Sequence, residues 1–145
     1  MAIRRRTVGL SVAQQAMALN QQFPDARVIL RPGRLVWTGT LRPTTLSRDY
    51  HVQITYKLGR FPEVAVLDAL EGRHGEPLPH VYMEGNLCLH LTHEWTPAMF
   101  MAQSTLAWTS EWLFNYELWK FTGEWLGGGA WPPLTGHGPK ARKSN

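Results

Sequence analysis

Apolar residues recur at intervals of three and four near the start of the chain, at intervals of two through its middle, and at three and four again in its last third. Val12, Ala16, Leu19 and Phe23 fall on one side of a helix, Ser11 stands where an N-cap belongs, and Pro24 with Asp25 closes the run. A helix over residues 11–23 is predicted. Residues 27–31 and 34–41 read as two strands joined by Pro32 and Gly33, a hairpin. Tyr50, Val52, Ile54 and Tyr56 alternate with polar neighbours, as a half-buried antiparallel strand requires. Residues 63–70 predict a fourth strand, and residues 71–86 pass through Gly, Pro and His without a period, which predicts a loop. Thr96 and Pro97 predict the opening of a second helix, because a Thr side chain accepts from a free first-turn amide and Pro at the first position loses no needed donor. Met101, Leu106, Trp108, Trp112, Leu113, Tyr116 and Trp119 then continue mostly at three and four, up to a stop at Thr122 and Gly123, with Thr109 and Ser110 as a candidate break.

Helix, four strands and helix, with short turns between consecutive strands, predict an α+β fold: an antiparallel four-stranded meander with helices packed on one side. The chain of 145 residues, 43% apolar with seven tryptophans, is large enough for one core and gives no reason to divide it. The expected organisation is a single domain over residues 1–126, followed by a Gly/Pro-rich basic tail over residues 127–145, whose three glycines at 127–129 read as a linker.

Charge changes this picture little. The formal net charge is +4, but Arg4, Arg5, Arg6 and Lys140, Arg142, Lys143 sit at the two ends, and no stripe of basic residues interleaved with aromatics crosses the body. Specific nucleic-acid binding is therefore not expected. One cysteine makes no intramolecular disulfide, no apolar signal core follows Met1, and no run approaches the roughly 18 apolar residues of a spanning helix. A cytoplasmic location without a membrane is expected.

Candidate chemistry gathers between Pro79 and Pro97, where Cys88 stands among His80, His90, His93 and Glu94. Three readings of these residues compete. Cys88 between Leu87 and Leu89 fits a small buried hydrophobe. His80, Cys88, His90 and His93 are ligand types for zinc, although their spacing matches no familiar paired pattern. The third is a cysteine hydrolase, in which a His would deprotonate Cys88 and a third group would orient that His.

The same segment resembles the active-site region of ubiquitin-conjugating enzymes, in which a His-Pro-Asn turn precedes Gly-x-[IL]-Cys-Leu and a Trp-[ST]-Pro follows. Here the matching residues are Pro79 and His80, then Gly85, Leu87, Cys88 and Leu89, then Trp95, Thr96 and Pro97. Phe61 and Pro62 stand where that family has an aromatic and proline passage leading into its fourth strand. The Asn of the family turn is absent, since Val81 and Tyr82 follow His80, and His90 replaces the acidic residue usual two places after the cysteine. Glu94 and Trp95, with Trp108, Glu111, Trp112, Leu113, Tyr116, Glu117 and Trp119, bring the chain closer to the stand-alone bacterial conjugating-enzyme-like proteins of CBASS anti-phage operons.

This resemblance implies a UBC-like fold and a thioester enzyme with Cys88 as nucleophile, assisted by His80 or His90. No cofactor and no metal are implied. The implied partner and acyl donor is a cGAS/DncV-like nucleotidyltransferase, through its C-terminal residue, and an activating enzyme is a second candidate partner. The alternative is a catalytically inactive UBC-like scaffold that binds a partner protein.

Overall fold

The computed structural model of the protein describes residues 9–89 and 94–127. Its elements run α1 (Val12–Gln22), β1 (Arg27–Arg31), β2 (Arg34–Leu41), β3 (Tyr50–Lys57), β4 (Glu63–Val66) and α2 (Thr105–Thr122). The strands pair in the order β1-β2-β3-β4, antiparallel throughout, so the expected α+β meander is present. No helix among the described residues is long and apolar enough to cross a membrane.

Ser11 caps α1 with a complete capping box: its hydroxyl accepts from the Gln14 amide at 3.1 Å, and the Gln14 side chain accepts from the Ser11 amide at 2.8 Å. The alternation in the strands sets the inward row. Leu35 and Trp37 of β2, Tyr50, Val52, Ile54 and Tyr56 of β3, and Val64 of β4 are buried in one cluster with Leu19 of α1 and Leu106, Trp112, Leu113, Tyr116 and Trp119 of α2. The tryptophan stripe of α2 is thus mostly core.

Three boundaries differ from the sequence expectation. β4 ends at Val66 instead of residue 70, because the sheet turns over to side-chain bonding there: the Asp68 carboxylate accepts from the His51 amide at 2.6 Å and lies 3.1 Å from His51 Nδ1. Thr96 and Pro97 open turns, not a helix, and α2 starts at Thr105 after Ser104. Tertiary bonds override the local signal here. The Pro97 carbonyl accepts from the Leu10 amide at 2.8 Å, and the fully buried Gln15 side chain donates to the Met99 carbonyl at 2.8 Å and accepts from the Met101 amide at 2.9 Å. Those bonds hold the strip in a shape that a helix would not allow. Finally, α2 is continuous at Thr109, whose buried hydroxyl donates to the Thr105 carbonyl at 2.7 Å and so needs no break. Its end is as expected, with Gly123 in the left-handed region at φ +83° and its amide bonded to Trp119 O.

The loop between β2 and β3 is tied to α2 through one carboxylate. Glu117 accepts from the Ser47 hydroxyl at 2.6 Å and from the Tyr50 hydroxyl at 2.9 Å, and burial with this anionic neighbour pushes the Tyr50 phenol well above its ordinary value. Glu117→Ala takes the acceptor from the buried Tyr50 hydroxyl, while the Ser47 hydroxyl keeps Thr44 Oγ1 at 2.7 Å. It is expected to cost about 1–3 kcal/mol, read as a lower midpoint in urea with an unchanged slope.

Candidate active site

The chain from residue 80 to 88 forms a tight flap closed by backbone bonds. The Tyr82 amide donates to Asn86 O at 2.8 Å, the Gly85 amide to Tyr82 O at 2.9 Å, and the Cys88 amide to His80 O at 2.8 Å, while Val81 and Leu87 bridge as an antiparallel pair. Gly85, at φ +95°, allows the turn. The Leu87 amide donates to Val64 O at 2.8 Å and moors the flap to β4. Its other mooring is α2: the Trp112 indole N–H donates to His80 O at 3.1 Å.

His80 is thus placed by its backbone. Its carbonyl takes two donors, its φ of +51° lies in the left-handed region that His tolerates better than most residues, and its buried ring packs 5.0 Å from the Trp125 ring. Trp125 in turn lies 5.4 Å from Trp112, which stacks on Tyr116 at 5.7 Å and 7°. An aromatic tier therefore supports the flap from below.

Cys88 is only 7% exposed, yet it lines a pocket of about 180 Å³ together with His80, Leu89 and Glu94 on the flap side and Trp108, Glu111, Trp112 and Asn115 on α2. A thiol so placed is shielded from bulk water but reachable through the pocket mouth. Its Sγ donates to the Tyr82 hydroxyl at 3.5 Å, a direction that reverses when the thiol ionises and the phenol O–H faces an anion. Burial pushes the Cys88 thiol above its ordinary value, the Tyr82 hydroxyl pulls it back, and the Glu94 carboxylate pushes it up. Tyr82 itself is pushed up to about 12, by burial first and then by its bond to Cys88, so it keeps the proton it would donate to a thiolate.

These directions fix a pH dependence. Alkylation by iodoacetamide follows the thiolate fraction, so its rate for Cys88 is expected to be still rising where an ordinary free thiol has levelled off. Glu94→Gln removes a negative charge near the thiol and moves the midpoint down. Tyr82→Phe removes the donor to the thiolate and moves it up. Stopped alkylation read by mass spectrometry from neutral to alkaline pH checks both shifts.

Of the residues singled out in the sequence, Cys88 and His80 come together in the flap, and Glu94 lies at the same pocket. His90 and His93 lie outside the described residues. Among the described residues no group of three or more His, Cys, Asp or Glu side chains is arranged to hold a metal ion. The sequence reading missed Tyr82 as the thiol's partner and Glu111 and Asn115 as pocket walls. A signal for the last two existed: residues 108, 111, 112 and 115 follow helical spacing, so the tryptophan stripe carries two polar residues on its own face. Trp125, near the end of the expected domain, packs on Trp112. Gly127 passes so close to Asn115 that a side chain there would collide with its amide.

No curated protein matches the chain. The family model described as Type II CBASS E2 protein matches residues 15–132, a span that holds most of α1, the whole sheet, the cysteine flap and α2, and the chain belongs to that family.

Proposed function

We propose that Cys88 carries the C-terminal carboxyl of a cGAS/DncV-like nucleotidyltransferase as a thioester and passes it to an amine, priming antiviral signalling. The observation that carries this reading is the placement of the chain's one thiol: a flap closed by backbone bonds and moored to both β4 and α2 holds it at the wall of a pocket in a chain of the CBASS E2 family.

In the first step Cys88 Sγ attacks the carbonyl carbon of an activated carboxyl, the donor's leaving group departs, and the thiol proton passes to a neighbouring base. His80 and His90 are the assigned candidates for that proton, His80 also serving through its carbonyl to set the flap. Because the thiol is raised in the resting protein, the step draws on an activated donor and on orientation more than on a standing thiolate. An activating enzyme or a linked operon activity would supply the adenylate or thioester. In the second step an amine displaces the sulfur, and Tyr82, placed to donate to the departing thiolate, eases its release.

Cys88→Ser tests this reading. Its ester is more stable than a thioester, so co-expression with the operon neighbours is expected to accumulate an adduct of the combined mass of the two proteins, resistant to thiol reductant. Absence of both this adduct and a thiol-labile one in the wild type would contradict acyl carriage and leave the partner-binding scaffold.

A further inference from the structure

Attack on a thioester turns its carbonyl oxygen into an anion, so a thiol that carries acyl groups needs hydrogen-bond donors beside it. Much of the Cys88 pocket cannot supply them. Glu94 and Glu111 are carboxylates, Leu89 has an apolar side chain, and the Trp112 indole N–H is taken by His80 O. Tyr82 faces the sulfur, and Asn86, the flap's own carboxamide, lines a different hollow with Arg60 and Phe61. Asn115 is different. It stands among the buried positions of α2, 7% exposed, in the same pocket wall as Cys88. One Nδ2 hydrogen goes to Glu111 O at 3.0 Å, and the other has no acceptor among the described residues. Asn is a poor helix former, and a buried carboxamide costs free energy unless it is fully bonded, so Leu would serve the helix better. Gly127 passes over this carboxamide so closely that a side chain there would collide with it, which holds the group in place. Trp125, in the same wall, has a buried indole N–H without a hydrogen-bond partner. Two donors thus stand at one pocket lacking an acceptor.

We infer that the Asn115 carboxamide donates to the oxyanion formed when an acyl group enters or leaves Cys88, with the Trp125 indole N–H as a second donor. This rests on the acyl-carrier reading of Cys88. The acceptor that both donors lack is the acyl oxygen, which no other part of the resting pocket supplies. The flap cannot fill this role after His80, because Val81 and Tyr82 carry no carboxamide. A residue of α2 does so from across the pocket.

In discharge, the lone pair of a neutral amine bonds to the carbonyl carbon and the carbonyl π pair moves onto oxygen, where the Asn115 N–H meets it. The pair then returns, the C–S bond breaks with its electrons on Sγ, and one nitrogen proton ends on that sulfur. The products are an amide and the free thiol. Loading passes through the same oxyanion in the opposite sense, with the donor's leaving group in place of the amine.

To test this, Cys88 is loaded with an acetyl group from a small thioester, or with its thiono counterpart from the matching dithioester, and each adduct is discharged with hydroxylamine. Sulfur in place of the carbonyl oxygen accepts hydrogen bonds weakly, so a donor to that atom matters for the first adduct and little for the second. Asn115→Leu is expected to slow discharge of the acetyl group about 100-fold and of the thiono group less than about threefold, and Trp125→Phe to slow the acetyl group about tenfold. The urea midpoint of Asn115→Leu is expected not to fall, since the helix gains a better former. Asn115→Ala carries the same comparison if Leu is not accommodated. Equal slowing of both acyl groups, or unchanged rates, would overturn the assignment. Failure of the wild type to take up either group would count against the acyl-carrier reading instead. The donor is then judged on Cys88 alkylated with iodoacetamide, whose carbonyl oxygen lies one bond further from the sulfur than that of a thioester. A downfield move of an Asn115 Nδ2 proton supports it, and none overturns it.

Discussion

Cells carrying Cys88→Ala in an otherwise intact operon are expected to lose phage protection altogether, while the protein itself remains folded. The two halves of this expectation have separate grounds. Sγ is a single atom bonded to the Tyr82 hydroxyl, and Cys88 itself lines a pocket from which water can replace the sulfur. Removing it costs about 1 kcal/mol, a small part of the roughly 5–15 kcal/mol that holds a domain together. A covalent carrier, by contrast, has no substitute for its nucleophile. Thermal unfolding and plaque counts on the same variant separate the outcomes, and full protection with Cys88 absent would leave only the scaffold reading.

Trp112→Ala is expected to have the largest effect on stability. The side chain is 4% exposed, stacks on Tyr116, meets Trp125 and donates its indole N–H to His80 O. Truncating a core tryptophan costs about 3–5 kcal/mol. Here the flap also loses its mooring to α2, since His80 O keeps only the Cys88 amide. Trp112→Phe retains a ring but not the donor, and about 1–2 kcal/mol is expected from it. Both are measured by urea unfolding. A second readout belongs to the mooring alone: iodoacetamide should reach Cys88 faster in either variant, because the flap opens more often.

Much of the fold was legible because its signals are local. Ser11 with Gln14, the alternation from Tyr50 to Tyr56, and the Gly123 stop each act within a few residues, and each element formed where its own residues favour it. The misreadings share the opposite cause. Thr96 and Pro97 carry a sound helix-start signal, yet Gln15, more than eighty residues away, spends its side chain on Met99 and Met101 and keeps that strip out of a helix. Asp68 ends β4 by bonding to His51 across the sheet. The site divides in the same way. Cys88 and His80 stood out through their motif, whereas Tyr82 becomes the thiol's partner only because the flap folds back through Cys88 and His80, and Glu111 enters the pocket only because α2 packs beneath it.

Acyl carriage requires a bond between Cys88 Sγ and a protein C-terminus. Peptide mapping of the adduct isolated from the intact operon at mildly acidic pH, with and without brief hydroxylamine treatment, reads that bond directly. The expected product is a branched peptide joining the Cys88 segment to the last residue of the nucleotidyltransferase, 18 mass units lighter than its two parts as one water is lost, and cleaved by hydroxylamine. A lysine-linked adduct that forms equally with Cys88→Ala, or a disulfide two mass units lighter that resists hydroxylamine and yields only to reductant, would contradict it.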